Sequence, residues 1–235
     1  AAAGTPRRVP EGKDAVETMV TLTVDERTIQ APEGSSVLSA CLSADITIPH
    51  LCWLASDTPD SASASCRLCF VEIDGFKEPV TACTVTVENG MTVHTATEAV
   101  RDLQRTALKL LLSVHRVDCK HCPANKACAL QDIAAFLGVG LSCKPFARVL
   151  KEPEVDTRHP VFDHYPNRCV LCGICVRGCG QANTPARLSF AGRGFGTVVG
   201  YFDVDPDGAA QCEACRACIT ACPTGALVEK GAGAE

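Results

Sequence analysis

The sequence CVLCGICVRGC, residues 169–179, separates four cysteines by two, two and three residues. The same spacing returns in CEACRACITAC, residues 212–222, so every cysteine of the first run recurs in the second. A repeat that is identical at each cysteine predicts two copies of one local structure. Three thiolates spaced by two residues can surround three irons of a cubane [4Fe–4S] cluster, because a tight loop turns each sulfur inward.

The cysteine content admits three kinds of chemistry. The chain has 235 residues, 17 Cys and only 5% aromatic residues, so we expect cross-links or metals to supplement a modest apolar core. A disulfide-stapled secreted domain would be shorter, and an odd cysteine count does not suit it. Zinc sites need only C-x2-C pairs, whereas most cysteines here fall in longer runs. Iron–sulfur clusters are therefore favoured over disulfides and zinc.

Charge and hydropathy indicate the compartment and exclude two classes of partner. The net charge is −5 and no block of Lys and Arg suggests a nucleic-acid surface. The longest apolar run is far shorter than a membrane span, and residues 1–16 contain no apolar core of an export signal. We expect a soluble cytoplasmic protein with no nucleic-acid partner and no membrane span.

Residues 167–228 resemble the bacterial two-cluster ferredoxins, in which the fourth cysteine of each run ligates the other cluster. The second run ends in Cys222-Pro223, as in that family, whereas the first ends in Cys179-Gly180 and lacks the proline. The resemblance implies two [4Fe–4S] clusters with crossed ligand sets. One set is Cys169, Cys172, Cys175 and Cys222, and the other is Cys179, Cys212, Cys215 and Cys218.

A second cysteine pattern lies in the first hundred residues. Cys66 and Cys69 form a C-x2-C pair, with Cys52 before it and Cys83 after it, which is typical of a four-thiolate [2Fe–2S] site. The segments IPHLC (48–52) and SCRLCFVEI (65–73) resemble the N-terminal domain of the complex I large iron–sulfur subunit and the matching part of iron-only and NAD-linked hydrogenases. The loop between Cys52 and Cys66 is a few residues longer than in that family, and we expect the excess to bulge into solvent.

A histidine precedes the third pattern, His115-x3-Cys119-x2-Cys122-x5-Cys128. The same string occurs in the complex I subunit and in those hydrogenases, so the resemblance implies a [4Fe–4S] cluster with one histidine ligand. A neutral imidazole leaves the cluster less negative than a fourth thiolate and should raise its reduction potential. The alternative is a surface histidine at a helix end, where it would interact favourably with the helix dipole.

Two cysteines, one loop and several histidines fall outside these patterns. We expect Cys41 and Cys143 to be buried, inert core thiols. The glycine-rich segment 192–196 lacks G-x-G-x-x-G spacing, which favours a loop against a cluster over a nucleotide site. The other histidines are expected to be ordinary, although His121 lies between two ligands and is placed to tune a cluster through a hydrogen bond.

Hydrophobic periodicity predicts an α+β chain. We expect a hairpin at 19–31, a helix at 35–44 and strands at 69–73 and 80–87. A long helix follows, with Thr95 and Glu98 as its capping box and an apolar stripe on Val100, Leu103, Ala107, Leu110, Leu111 and Val114. A shorter helix at 127–137 should stop at Gly138.

These elements predict three cluster domains in series. A flexible tail at 1–17 precedes a plant-type [2Fe–2S] ferredoxin-like domain at 18–95. A helical [4Fe–4S] domain with one histidine and three cysteine ligands follows at 96–150. A connector at 151–166 then leads to a bacterial two-cluster [4Fe–4S] ferredoxin-like domain at 167–235.

Four clusters in one small chain would form a wire for electrons. The sequence contains no Rossmann fingerprint and no further cysteine set for a catalytic cluster, so we expect no catalytic residues. The resemblance is to the freestanding electron-transfer subunit of NAD(P)-linked hydrogenase complexes, without the large second domain of the complex I subunit. It implies two partners, a flavin-containing NAD(P)H-oxidising subunit and a catalytic subunit, with a hydrogenase favoured.

Two other functions remain open at this point. The same wire could serve a formate dehydrogenase or an electron-bifurcating reductase, or the chain could be a free ferredoxin-like shuttle. The identity of the companion catalytic chain separates the first possibility from a hydrogenase, and co-purification separates the shuttle from both.

Overall fold

The computed structural model describes residues 18–183, 185–202 and 205–231. The predicted flexible tail at 1–17 lies outside these ranges. Within them, no helix combines the length and apolar character needed to cross a membrane.

The first unit is a five-stranded sheet with one helix packed on it. Its elements are β1 (Met19–Val24), β2 (Arg27–Pro32), α1 (Val37–Ser43), β3 (Phe70–Ile73), β4 (Val80–Thr81) and β5 (Thr92–His94), and the strand order is β2-β1-β5-β3-β4. The β1–β2 hairpin turns at Asp25 and Glu26, which both have positive φ angles, as a two-residue type I′ turn requires. Alternate β1 residues point inward, so Leu22 and Val24 are buried beneath α1.

The strand predicted at 80–87 ends earlier than its sequence suggested. We expected a strand over 80–87, but after Thr81 the chain forms a 3-10 turn at Ala82–Thr84. The Ala82 N–H donates to the Cys69 carbonyl at 2.8 Å. This hydrogen bond holds the turn against the C-x2-C segment and brings Cys83 beside Cys69.

Two helices form the middle unit, α2 (Glu98–Ser113) and α3 (Ala129–Phe136). The predicted capping box on Thr95 is wrong, because the Thr97 side chain caps α2 by accepting from the Val100 N–H at 3.2 Å. The predicted apolar stripe is also partly wrong, since Leu103 and Leu110 are 36% and 50% exposed.

The buried face of α2 is rotated about the helix axis relative to the predicted apolar stripe, and one hydrogen bond accounts for the rotation. Gln104 is fully buried and its amide donates to the Phe70 carbonyl of β3 at 3.0 Å. Leu108 and Leu112 follow it into the core one and two turns later. The hydrogen bond to the first unit thus selects which face of α2 is buried.

The last unit is built around three cysteine-bearing helices. Its elements are β6 (Phe162–His164), α4 (Ile174–Ala182), β7 (Leu188–Ala191), β8 (Val198–Tyr201), α5 (Pro206–Cys215), α6 (Ala217–Thr220) and β9 (Leu227–Glu229). The strands β6 and β9 pair antiparallel, with His164 opposite Leu227, and β7 pairs with β8. Residues 151–166 were expected to be only a connector, but β6 ties them to the end of the two-cluster domain.

One of the three apolar clusters among the described residues bridges the three units. It contains Leu68 of the first unit, Leu108 and Ile133 of the middle unit, and Val170 and Ile174 of the last unit. Burial of such side chains contributes about 1.5–3 kcal/mol each. The cysteine-bearing segments of the three units are therefore held close together.

Candidate metal centres

Four thiols meet at one end of the N-terminal sheet. Cys52, Cys66, Cys69 and Cys83 are each at most 4% exposed. The Sγ atoms of Cys52 and Cys66 lie 3.4 Å apart, and Cys69 and Cys83 are close enough for each thiol to shift the pKa of the other. We call these four residues the sheet site. The structure brings together all four residues that the sequence pattern predicts for [2Fe–2S].

Neighbouring thiols in the sheet site share protons. The hydrogen bond from Cys66 lowers the pKa of Cys52, and the same contact with burial raises the pKa of Cys66. The pair Cys83 and Cys69 behaves in the same way, with the pKa of Cys83 lowered by its contact with Cys69. Two of the four sulfurs are thus predisposed to be thiolates, the form that binds iron.

The long loop between Cys52 and Cys66 is anchored at one end. Its Asp57 side chain is only 5% exposed and forms a salt bridge with Arg177 of α4. Arg177 also donates to the Cys52 carbonyl, and Gln181 donates to Ser56 at 3.1 Å. The expectation that the loop bulges into solvent is wrong for this part of it, because it contacts the helix that carries Cys175 and Cys179.

The histidine motif lines a cavity, which we call cavity H. Its lining includes all four predicted ligands, His115, Cys119, Cys122 and Cys128. His115 follows the end of α2, Cys119 lies in a 3-10 turn (Cys119–His121), and Cys128 immediately precedes α3.

His115 has the environment of a metal ligand. It is 8% exposed, so the alternative of a surface histidine is wrong. Its Nδ1 lies 3.1 Å from the Arg168 carbonyl, which can only accept, so Nδ1 carries the proton and Nε2 is left free to bind a metal. Burial lowers the pKa of His115, which favours the neutral imidazole that a metal requires.

The two four-cysteine runs enclose two further cavities with crossed linings. One of them, cavity A, is lined by Cys169, Cys172, Cys175 and Cys222. The other, cavity B, is lined by Cys179, Cys212, Cys215 and Cys218. Each cavity takes three cysteines from one run and the fourth from the other, as the ferredoxin resemblance implied.

The crossing follows from the packing of α4 against α6. Gly173 (φ 78°) precedes α4, and the corresponding Arg216 (φ 51°) precedes α6, so both loops turn sharply into their helices. Without a proline, α4 continues three residues past Cys179, whereas α6 ends at Thr220, before Cys222-Pro223. The missing proline lengthens a helix and leaves the cysteine in place.

Backbone amides already donate to several of these sulfurs. The Leu171 N–H lies 3.4 Å from Cys169 Sγ, and the Ala226 N–H lies 3.3 Å from Cys222 Sγ. The Arg187 N–H lies 3.3 Å from Cys179 Sγ. Hydrogen bonds to cluster sulfurs are one of the factors that set reduction potential.

The lining of the cavities suits clusters of several irons. A single zinc ion holds its sulfur ligands at about 2.3 Å. Here each set of four donors surrounds a cavity, and among the described residues no three His, Cys, Asp or Glu side chains converge on one ion.

All 17 cysteines are free of disulfides. Burial raises the pKa of Cys172 and Cys218 to about 12, so metal loading would displace protons from these thiols.

Residues outside the four sites have other surroundings. Cys41 is fully buried under the sheet, and Cys143 is 7% exposed with its thiol 3.6 Å from the Phe146 carbonyl, so both are core thiols as predicted. His121 is exposed, and its Nδ1 lies 2.9 Å from Asp118 Oδ1. Its ring therefore does not have the contact with a cluster that the predicted tuning role requires.

The glycine-rich segment is an exposed hairpin tip. Residues 192–197 connect β7 to β8 through a 3-10 turn (Gly194–Gly196), and Phe195 within it is 68% exposed. The segment does not open a helix, as was expected of a segment that is not a nucleotide site. The expectation that it packs on a cluster is not met at Phe195.

Two histidines that the sequence reasoning treated as ordinary line the cubane cavities. His159 lines cavity B and His164 lines cavity A, and each is 2% exposed. The available signal was weak, because only the inward alternation of Phe162 and His164 along a short strand marked this segment as buried.

Family models match three successive parts of the chain. A 2Fe-2S iron-sulfur cluster binding domain matches residues 17–98, an NADH-ubiquinone oxidoreductase-G iron-sulfur binding region matches 104–142, and a 4Fe-4S dicluster domain matches 168–226.

Curated relatives match over most of this chain. The NADPH-Fe(3+) oxidoreductase subunit alpha of Geobacter sulfurreducens is 35% identical over 90% of this chain and 24% of its own length. The NADP-reducing hydrogenase subunit HndD of Solidesulfovibrio fructosivorans is 35% identical over 90% of this chain and 36% of its own length. The chain thus spans about a quarter to a third of these relatives.

A solved structure matches over nearly its whole length. A chain of an NAD+-reducing [NiFe]-hydrogenase in the H2-reduced state superposes with a TM-score of 0.74 at 32% sequence identity. The match covers 91% of this chain and 88% of that one.

Proposed function

Because the chain belongs to the family of iron–sulfur subunits shared by NADH-quinone oxidoreductases and NAD(P)-linked hydrogenases, we propose that it is the electron-transfer subunit of such a hydrogenase complex. It would relay electrons between a flavin subunit that handles NAD(P)H and a separate catalytic subunit. The chain itself contributes ligands and insulation, and the chemistry of the substrates takes place on its partners.

The observation that carries this proposal is that each of cavities H, A and B is lined by one complete set of four donors. We assign one [4Fe–4S] cluster to each cavity and one [2Fe–2S] cluster to the sheet site, with the ligands named above. Bound iron–sulfur clusters supply one-electron carriers at each position.

Contacts between the sites suggest an order for the wire. Cys52 of the sheet site is close enough to raise the pKa of Cys172 in cavity A, although burial is the larger cause. Thr224 lines both cavity A and cavity H. The helix α4 carries Cys175 of cavity A and Cys179 of cavity B. Cavity A thus adjoins the other three sites, and we propose that the cluster it binds is the junction of the wire.

Cavity B is the best candidate for an end that faces a partner. Cys212, Cys215 and Cys218 are half-buried, whereas Cys169, Cys172 and Cys175 of cavity A are buried. Electrons pass between proteins most readily where a cluster lies near the surface. We assign cavity B to one docking face.

Anaerobic purification of the native complex tests the function directly. The tagged chain is isolated from its native host, and every co-purifying chain is identified by mass spectrometry. We expect a flavin-binding NAD(P)H-oxidising subunit and a nickel–iron hydrogenase pair. A molybdenum-dependent catalytic chain would keep the wire but reject the hydrogenase assignment, and a chain that purifies alone would support the shuttle.

Replacement of His115 by cysteine tests the ligand set of cavity H. We expect His115→Cys to retain the cluster but lower its midpoint potential on the order of 100 mV, because a thiolate adds negative charge where the imidazole was neutral. The measurement is an anaerobic redox titration monitored by electron paramagnetic resonance (EPR). His121→Cys, at the exposed neighbouring histidine, is the matched control and should leave the potential in place. An unchanged titration in His115→Cys would remove His115 from the ligand set.

A further inference from the structure

The strand β6 places a buried imidazole beside cavity A. His164 is 2% exposed, and its backbone N–H and carbonyl both pair with Asp156, at 2.9 and 2.8 Å. These two hydrogen bonds and the β6–β9 pairing fix where the side chain lies. The ring lines cavity A together with the four cysteines.

One ring nitrogen of His164 has no hydrogen-bond partner among the described residues. Nε2 is closed to solvent and unpaired. The ring also borders an open cleft lined by Arg158 and Tyr201. A nitrogen that opened into this cleft would meet solvent, so Nε2 does not open into it, and cavity A is the other space that His164 lines. Buried polar atoms are normally hydrogen-bonded, so this unpaired nitrogen calls for a partner within the cavity.

The chemistry of cavity A restricts what that partner can be. Iron-bound thiolates and sulfides carry no protons and can only accept hydrogen bonds. An imidazole nitrogen that faces them is satisfied only when it bears the proton. Cys169 and Cys222 each already accept from a backbone amide, at 3.4 and 3.3 Å. His164 would add a side-chain donor to this set.

Burial is the main influence on the pKa of His164 and lowers it, while Asp156 raises this pKa and Lys151 lowers it.

We propose that His164 is a positioning residue that donates an Nε2–H hydrogen bond to a sulfur of the [4Fe–4S] cluster in cavity A and raises its reduction potential. The hydrogen bond favours the reduced cluster, which carries more negative charge on its sulfurs. This inference rests on the proposed function, because it requires that cavity A binds a cluster.

The test compares two substitutions in the full chain, purified anaerobically with its clusters. His164→Phe removes the donor and keeps a ring, whereas His164→Gln keeps an N–H donor. We expect His164→Phe to retain its iron and sulfide but to shift the midpoint potential of one cluster to a more negative value. His164→Gln should restore most of that shift. His94→Phe is the control, because His94 is half-exposed and pairs with Asp74 on the N-terminal sheet.

A second readout separates a hydrogen bond from a change in packing. After exchange into deuterated buffer, pulsed EPR of the reduced cluster should detect one strongly coupled deuteron beyond those of the backbone amides in the wild type and in His164→Gln. His164→Phe should lack this additional deuteron. Equal shifts in His164→Phe and His164→Gln, with this deuteron unchanged in both, would overturn the proposal in favour of a structural role.

The remaining outcomes distinguish this inference from the proposed function. The cluster of cavity A is identified as the signal that Cys172→Ala abolishes. If the wild-type chain has no such cluster, both the role of His164 and the proposed function are overturned. If the wild-type chain has this cluster, and the potential and deuteron coupling of the cluster do not change in His164→Phe, only the role of His164 is overturned.

Discussion

Cys222→Ala should abolish the cluster of cavity A and spare the cluster of cavity B, although Cys222 belongs to the same run as the ligands of B. Cys222 lines cavity A, opposite three cysteines of the first run. Loss of one thiolate leaves an iron without its protein ligand, and cluster affinity depends on a complete set. We therefore expect Cys222→Ala to reproduce the spectral change of Cys172→Ala, measured by EPR and by iron content.

The reciprocal substitution makes the comparison decisive. Cys179→Ala should match Cys215→Ala, because both residues line cavity B. If each run held its own cluster, the pairing would reverse, and Cys222→Ala would match Cys215→Ala instead. Cys143→Ala is the control, since Cys143 is a core thiol next to Phe146, and it should retain every cluster.

Spacing predicted which cysteines of one run lie together because the loop geometry is local. A C-x2-C-x2-C run turns its sulfurs inward whatever surrounds it, and cavities A and B are lined by the cysteines that the sequence assigned to them. The crossing of the fourth cysteine is a different matter. It depends on α4 packing against α6, which are separated by more than thirty residues in the sequence, and only the resemblance to two-cluster ferredoxins supplied it.

The predictions from the sequence were wrong where a contact between residues far apart in the sequence determined which of several local structures forms. Thr95 and Thr97 can both cap a helix, and Asp25, seventy positions away, accepts from the Thr95 N–H at 2.8 Å and from its hydroxyl. That contact leaves Thr97 as the cap. His164 was missed for a related reason, because its burial depends on the pairing of β6 with β9 and no spacing marks it.

Arg177→Met should lower the thermal midpoint of the cluster-loaded chain by about 4–16 °C. The Arg177 guanidinium joins α4 to the loop of the sheet site through the Asp57 carboxylate and the Cys52 carbonyl. Removing one partner of a buried ion pair costs about 3–5 kcal/mol, and because Arg177 is 25% exposed we expect about 2–4 kcal/mol. One kcal/mol corresponds to about 2–4 °C for a chain of this size. The measurement is visible circular dichroism during anaerobic heating at a fixed scan rate, since cofactor-bound proteins do not unfold in two states.

Two further variants identify the cause of the change. Arg105→Met removes an exposed pair with Asp102, at 3.6 Å, and should change stability by less than about 1 kcal/mol. Asp57→Asn combined with Arg177→Met removes the unpaired buried carboxylate and keeps an oxygen that can accept from the Leu54 N–H, as Asp57 does at 2.8 Å. The double variant should therefore recover part of the loss. If Arg177→Met is no less stable than Arg105→Met, the apolar cluster that bridges the three units alone holds the sheet site against α4, and the ion pair is dispensable.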